Sequence, residues 1–177
     1  EDVDMFARMT PAREVGGDLY DFFIEDEKLY FIIGDVSGKG VPASLVMAVT
    51  CRLFRTIASY VKTPEGIVST LNNALSESNE SNMFCTAFVG ILDLKSGELN
   101  YCNAGHNPPV MLLPKGGATR LSVVPNLALG VWSGFAYQGE SVQMQRGSML
   151  FMYTDGVTES EDINKTRYEG IQKLTLD

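Results

Sequence analysis

The stretch Gly34-Asp35-Val36-Ser37-Gly38-Lys39-Gly40 decides how this chain is read. Before it runs Lys28-Leu29-Tyr30-Phe31-Ile32-Ile33, whose aromatic and β-branched residues predict a buried strand. After it, Val41-Pro42-Ala43-Ser44-Leu45-Val46-Met47-Ala48 opens a helix with proline in its first turn. A carboxylate therefore stands at a strand end, on a glycine-rich bend that feeds a helix. Glycines at 34, 38 and 40 permit close backbone approach, so a ligand there meets carbonyls as well as the Asp35 side chain. Such a bend suits a hard cation or a phosphate.

Upstream, Leu19 to Ile24 reads as a strand and Glu25-Asp26-Glu27-Lys28 as a polar hairpin turn. Strands joined by a short turn run antiparallel, so Asp18 is expected beside Asp35 at one end of the sheet. Gly16-Gly17 is a bend, and Val3 to Met9 alternates as a further strand. Downstream, the helix extends from Pro42 to about Val61. Its stripe Leu45, Ala48, Val49, Leu53, Ile57 and Tyr60 is expected in the core, with Arg52 and Arg55 off it. Thr63-Pro64-Glu65 caps a second helix with apolar face Ile67, Val68, Leu71 and Leu75, and Ser76 to Asn82 is a polar loop. Strands follow at Phe84–Leu94, Glu98–Asn103, Val110–Leu113, Thr119–Leu121, Ala136–Met144 and Ser148–Tyr153, the last a buried strand ending at Asp155-Gly156. Two helices among roughly eight hairpin-linked strands predict a layered α+β domain, not alternating βαβ units.

At 177 residues the chain reads as a single domain, 1–177, and a start at Glu1 without methionine reads as a fragment. Hydrophobic residues at 45% and charged residues at 20% fit a soluble globular protein. A net charge of −8 argues against a nucleic-acid partner. Cys51, Cys85 and Cys102 show no CxxC spacing, which disfavours zinc or a disulfide framework and fits a reducing, cytoplasmic compartment. No apolar run reaches the roughly 18 residues a membrane span needs, and no signal peptide is visible.

Asp18, Asp35 and Asp155 share a setting: a strand end, a glycine nearby and an apolar run behind. An aspartate by a glycine is by itself an ordinary turn. Three converging on one sheet edge repel one another unless a cation sits between them. An all-oxygen set in a chain with one histidine favours Mg²⁺ or Mn²⁺ over zinc. Lys39 does not make a nucleotide loop: the glycine spacing is short and Gly40 replaces the required Ser or Thr. His106 lies in the proline-stiffened loop Ala104-Gly105-His106-Asn107-Pro108-Pro109. It is structural there, or it hydrogen-bonds near the site or protonates a leaving group. Asn107 is read as ordering its own loop.

Four separated motifs carry a resemblance: Glu14-Val15-Gly16-Gly17-Asp18-Leu19-Tyr20-Asp21, Gly34 to Gly40, Asn103-Ala104-Gly105-His106-Asn107-Pro108 and Tyr153-Thr154-Asp155-Gly156-Val157-Thr158-Glu159. In this order they resemble the metal-dependent protein phosphatase 2C superfamily, in its bacterial SpoIIE/RsbU-like branch. The resemblance implies a central antiparallel β-sandwich flanked by helices, with two metal ions at one edge. It implies hydrolysis of phosphoserine or phosphothreonine on a protein regulator, such as an anti-sigma-factor antagonist, by a metal-bridging water. By position Asp35 would bridge the ions, the Val36 carbonyl would ligate one, and Asp155 would hold the other. Asp18 would bind directly or through water, and Arg13 matches a phosphate-binding arginine of related enzymes. The family's last acid, from an aspartate pair before a strand, finds no match after Glu159. The C-terminal part is therefore expected to be missing, or the second metal site to stay unfilled. The resemblance also implies a cytoplasmic signalling protein whose sensor domain or partner acts near the two helices. The competing expectation is a phosphoprotein-binding or scaffold domain of the same fold without turnover.

Overall fold

The computed structural model describes residues 3–10, 16–77 and 82–160. Strands β1 (Asp18–Glu25) and β2 (Lys28–Val36) form a hairpin, followed by helices α1 (Val41–Ala58) and α2 (Pro64–Glu77). Then come β3 (Cys85–Asp93), β4 (Glu98–Ala104), β5 (Val110–Leu112), β6 (Ala118–Arg120), β7 (Glu140–Gln143), β8 (Met149–Phe151) and the short helix α3 (Asp155–Thr158). One antiparallel sheet has the order β1-β2-β3-β4-β7, and a second has β6-β5-β8. The architecture is the expected α+β layering of helices on a β-sandwich. An outer helical layer over the second sheet is not present among the described residues.

Alternation along β2 builds two cores. Tyr30, Ile32 and Val36 face α1 and α2, where Phe54, Ile57, Ile67, Val68 and Leu71 cover them. Leu29 and Phe31 face the other way and join Phe88, Leu99 and Tyr101 against Met111 of the second sheet and Leu121 just after β6. β2 is thus apolar on both faces, as a central strand must be.

Four expectations need correction. Residues 3–10 form no strand: Phe6 is 90% exposed and no ladder reaches this segment. The predicted core stripe of α1 holds only in part: Ile57 is buried and Leu53 packs on the core as expected, but Leu45 is 62% exposed and Val49 and Tyr60 also face outward, while Ala43, Thr50 and Phe54 are buried instead. The cause is a helix apolar on most of its circumference, where two stripes with the same period compete. With a mean hydropathy of 1.4 over 18 residues it is by composition long and apolar enough to cross a membrane. Arg52 and Arg55 interrupt that run, and Phe54 and Ile57 pack onto the sheet. The strand expected from Ala136 spans only Glu140–Gln143. β8 is an edge strand with Met149 and Phe151 exposed, not a buried one. The second helix is as read, with the Thr63 hydroxyl accepting from the Gly66 amide at 3.3 Å at its start.

Candidate active site

The β1–β2 turn sets the site. Asp26 and Glu27 both take positive φ, 49° and 59°, the twist a two-residue hairpin needs. Pairing then runs without a bulge from Glu25↔Lys28 to Asp18↔Asp35. Directly opposed residues project from the same face, so the two aspartates stand side by side at the open end of the hairpin. By alternation that face is the one Leu29 and Phe31 turn toward the second sheet. β8 belongs to that sheet and leads through Tyr153 and Thr154 to Asp155, the first residue of α3.

The electrostatics record this convergence. Burial first, then the charges of Asp18 and Asp155, push the Asp35 carboxyl up to about 6. Asp18 is raised by burial and by Asp155, with the neighbouring Thr154 hydroxyl opposing the rise. Lys39 is exposed, and its charge does not figure among those acting on either group. Among the described residues the ion pairs lie elsewhere: Arg55–Asp21, Lys62–Glu25 and Lys95–Glu27.

Gly17 supplies the hollow. A Cβ at this position would lie 2.6 Å from the Val36 carbonyl oxygen and 3.2 Å from Asp35 Oδ1. Only glycine leaves that carbonyl and that carboxylate open side by side. Among the described residues no group of three His, Cys, Asp or Glu side chains is gathered tightly enough to hold an ion alone. Mg²⁺-like ions do not require such a group, because they keep several waters and take one or two carboxylates. Paired carboxylates, a backbone carbonyl beside them and a hollow that a Cβ would fill fit a hard divalent cation.

His106 is 6% exposed, which removes it from contact with a leaving group. Its Nδ1 lies 3.0 Å from Thr86 Oγ1, and Thr86 stands opposite Asp35 in the β2–β3 ladder. Burial holds the imidazole down at about 4, against smaller opposing effects of the Tyr153 backbone and Asp155. Asn103 orders the loop, and among the described residues no hydrogen bond of the Asn107 side chain joins it. Asn103 Oδ1 accepts from the His106 amide at 2.8 Å, and its Nδ2 donates to the His106 carbonyl at 2.9 Å. Sequence reasoning quoted Asn103 and Thr154 within two motifs but gave neither a role, and it missed Thr86, a strand threonine that stands in no motif. Arg13, and any acid after Ser160, lie outside the described residues.

The sequence profile of Stage II sporulation protein E (SpoIIE) matches residues 25–176. The chain is 32% identical to protein IcfG of Synechocystis over 95% of its length and 31% of that protein's. It is 27% identical to phosphoserine phosphatase RsbU of Bacillus subtilis over 93% of its length and 49% of that protein's. It thus spans less than half the length of either relative. The crystal structure of the RsbU and RsbW domains of Rv1364c from Mycobacterium tuberculosis superposes with a TM-score of 0.77 at 30% identity. That match covers 86% of this chain and 43% of the other.

Proposed function

This chain belongs to the SpoIIE family, in the RsbU-like branch of the protein phosphatase 2C superfamily, and from that premise we propose that it is a metal-dependent serine/threonine protein phosphatase domain. The observation that carries the reading is the Asp18–Asp35 rung beside the Gly17 hollow, with Asp155 acting on both carboxylates. Asp35 and the Val36 carbonyl would hold one Mn²⁺ or Mg²⁺ ion, and Asp155 and Asp18 a second. A divalent ion at such a site neutralises phosphoryl charge and makes a water acidic enough to attack at neutral pH. The protein's own part is to bring the oxygens together, keep cations of its own away, and fix Asp35 on a ladder rung. Arg13 would bind the substrate phosphate.

The substrate would be a small phosphorylated protein regulator, such as an anti-sigma-factor antagonist. A sensor domain of the same protein, or a partner, would act through α1 and α2. α1 starts at Gly40, whose φ is 75°, a conformation glycine adopts without strain. A tilt there would move Asp35. The free thiols of Cys51, Cys85 and Cys102 support a cytoplasmic setting.

The second reading is a phosphoprotein-binding or scaffold domain without turnover. It is supported by the family's last acid finding no match after Glu159, and by no tight three-residue metal cluster forming among the described residues. Hydrolysis of a phosphoserine protein with and without Mn²⁺ separates the two. Mn²⁺-dependent phosphate release that disappears in Asp35→Asn is expected. Phosphoprotein binding without release, at any Mn²⁺ concentration and in the longer protein as well, would establish the scaffold.

A further inference from the structure

The imidazole of His106 is wedged between the two strand ends that carry the aspartates. On one side is Thr86 of β3, whose Oγ1 lies 3.0 Å from Nδ1 and 3.4 Å from the Asp35 carbonyl. On the other is the backbone of Tyr153, two residues before Asp155. The His106 backbone is itself clamped by both arms of the Asn103 amide. Gly105, the preceding residue, bridges to Ala87 beside Thr86. The ring has little freedom to do anything but connect these elements. Yet Nε2 is buried with no hydrogen-bond partner among the described residues. A buried polar atom in that condition points to a bond made in another state of the site.

The tautomer decides what that bond is. With the proton on Nδ1, the ring would donate to Thr86 and bury a bare Nε2 lone pair beside backbone carbonyl oxygen, acceptor against acceptor. With the proton on Nε2, Nδ1 accepts from the Thr86 hydroxyl, and a donor faces the end of β8. Only the second arrangement gives both nitrogens a use. We propose that His106 is a positioning residue, the Nε2–H tautomer, which accepts from Thr86 and donates to the Tyr153 carbonyl and so holds Asp155 in register with Asp35. It touches neither substrate nor ion. It fixes the distance between a carboxylate on β2 and one just beyond the end of β8, which nothing else in the ladder pattern sets, because β2 and β8 share no pairing. The metal part of this role rests on the phosphatase reading above; the tautomer does not.

The chain's single histidine makes the test direct, since every imidazole signal belongs to it. Nitrogen-15 correlation spectra of the metal-free protein at neutral pH are expected to show a protonated Nε2 and an unprotonated Nδ1. Titration with Mg²⁺ is expected to strengthen the Nε2–H bond and shift its signal. Two substitutions divide the ring: Gln reaches the Nε2 position and retains the donor, while Asn reaches only the Nδ1 position. Mn²⁺ affinity, read by calorimetry, is expected to fall roughly ten- to a hundredfold in His106→Asn and much less in His106→Gln. Thr86→Val, close to isosteric, serves if either variant fails to fold, and should weaken Mn²⁺ binding with the fold kept. An Nδ1–H tautomer in the wild-type protein overturns the proposal, as does equal Mn²⁺ affinity in wild type and Thr86→Val. Absence of Mn²⁺ binding in the wild type would instead count against the phosphatase reading, and the tautomer would still decide the role of His106.

Discussion

The β1–β2 hairpin carries acidic residues at both ends and treats them in opposite ways. Near the turn, Asp21, Glu25 and Glu27 each have a cation. Arg55 donates from Nε to Asp21 at 2.6 Å while stacking over Phe23, Lys62 donates to Glu25 at 2.6 Å, and Lys95 pairs with Glu27. At the open end Asp18 and Asp35 face each other and Asp155, and none has a cationic partner among the described residues. The chain holds 14 lysines and arginines, so cations are not scarce. The paired end is exposed, where ion pairs contribute little to stability. The unpaired end is half-buried, where uncompensated charge is expensive. A fold that neutralises its cheap carboxylates and leaves its costly ones bare is keeping a place for a cation from outside.

The largest expected effect is at the open end itself. Asp35→Asn should abolish Mn²⁺-dependent phosphate release, while the metal-free protein keeps its fold and gains or holds stability, because one repelling charge is gone. Turnover and thermal unfolding measured on the same sample check both halves. Next comes Gly17→Ala, whose new Cβ would press on the Val36 carbonyl and Asp35 Oδ1. It should reduce Mn²⁺ affinity roughly tenfold and cost about 1–3 kcal/mol by overpacking. A variant with normal Mn²⁺ binding would show that the hollow is not used.

The two ends also differ in what holds them. The open end depends on buried hydrogen bonds, the turn end on exposed ion pairs. Asn103→Ala, which strands the His106 amide and carbonyl, should therefore cost about 1–3 kcal/mol, against less than about 1 for Arg55→Ala. Denaturant unfolding ranks them, and the reverse order would break the contrast.

Acid titration gives a smaller effect with a definite sign. The Asp35 carboxyl, raised from 3.8 to about 6, contributes stability present below 3.8 and lost as pH rises through 6. The His106 imidazole, lowered from 6.5 to about 4, contributes stability present above 6.5 and lost as pH falls toward 4. Between pH 6.5 and 4 the two oppose each other in the wild-type protein. Asp35→Asn removes the Asp35 contribution and leaves the histidine opposed only by Asp18, whose carboxyl is also raised, so this variant should lose stability more steeply on acidification. Parallel pH profiles for the two proteins would remove Asp35 from the balance.

How much of this was legible in the sequence follows from the range of each signal. The hairpin turn and the glycine bend are local, so the neighbourhood of Asp18 and Asp35 could be read from spacing alone. Asp155 was reachable through its motif, but its approach depends on a second sheet whose placement no local pattern encodes. The buried face of α1 was misread in part because Leu45 and Val49 are as apolar as Phe54, and periodicity cannot rank two competing stripes; Ile57 was placed correctly. Val3 to Met9 alternates convincingly, yet a strand needs a partner, and alternation says nothing about whether one exists. Thr86 was invisible because its role comes from the β2–β3 register, whereas Asn103 acts on His106 only three residues away and was passed over because the reading of that loop settled on His106 and Asn107.

The central claim is that the open end of the hairpin binds a divalent cation and the turn end does not. Calorimetric titration of Mn²⁺ into the wild-type protein, Asp35→Asn and Glu27→Gln at neutral pH tests it most directly. The account predicts binding in the wild type, unchanged binding in Glu27→Gln, and affinity reduced roughly a hundredfold or more in Asp35→Asn. Equal losses in the two variants, or undiminished binding in Asp35→Asn, would contradict it.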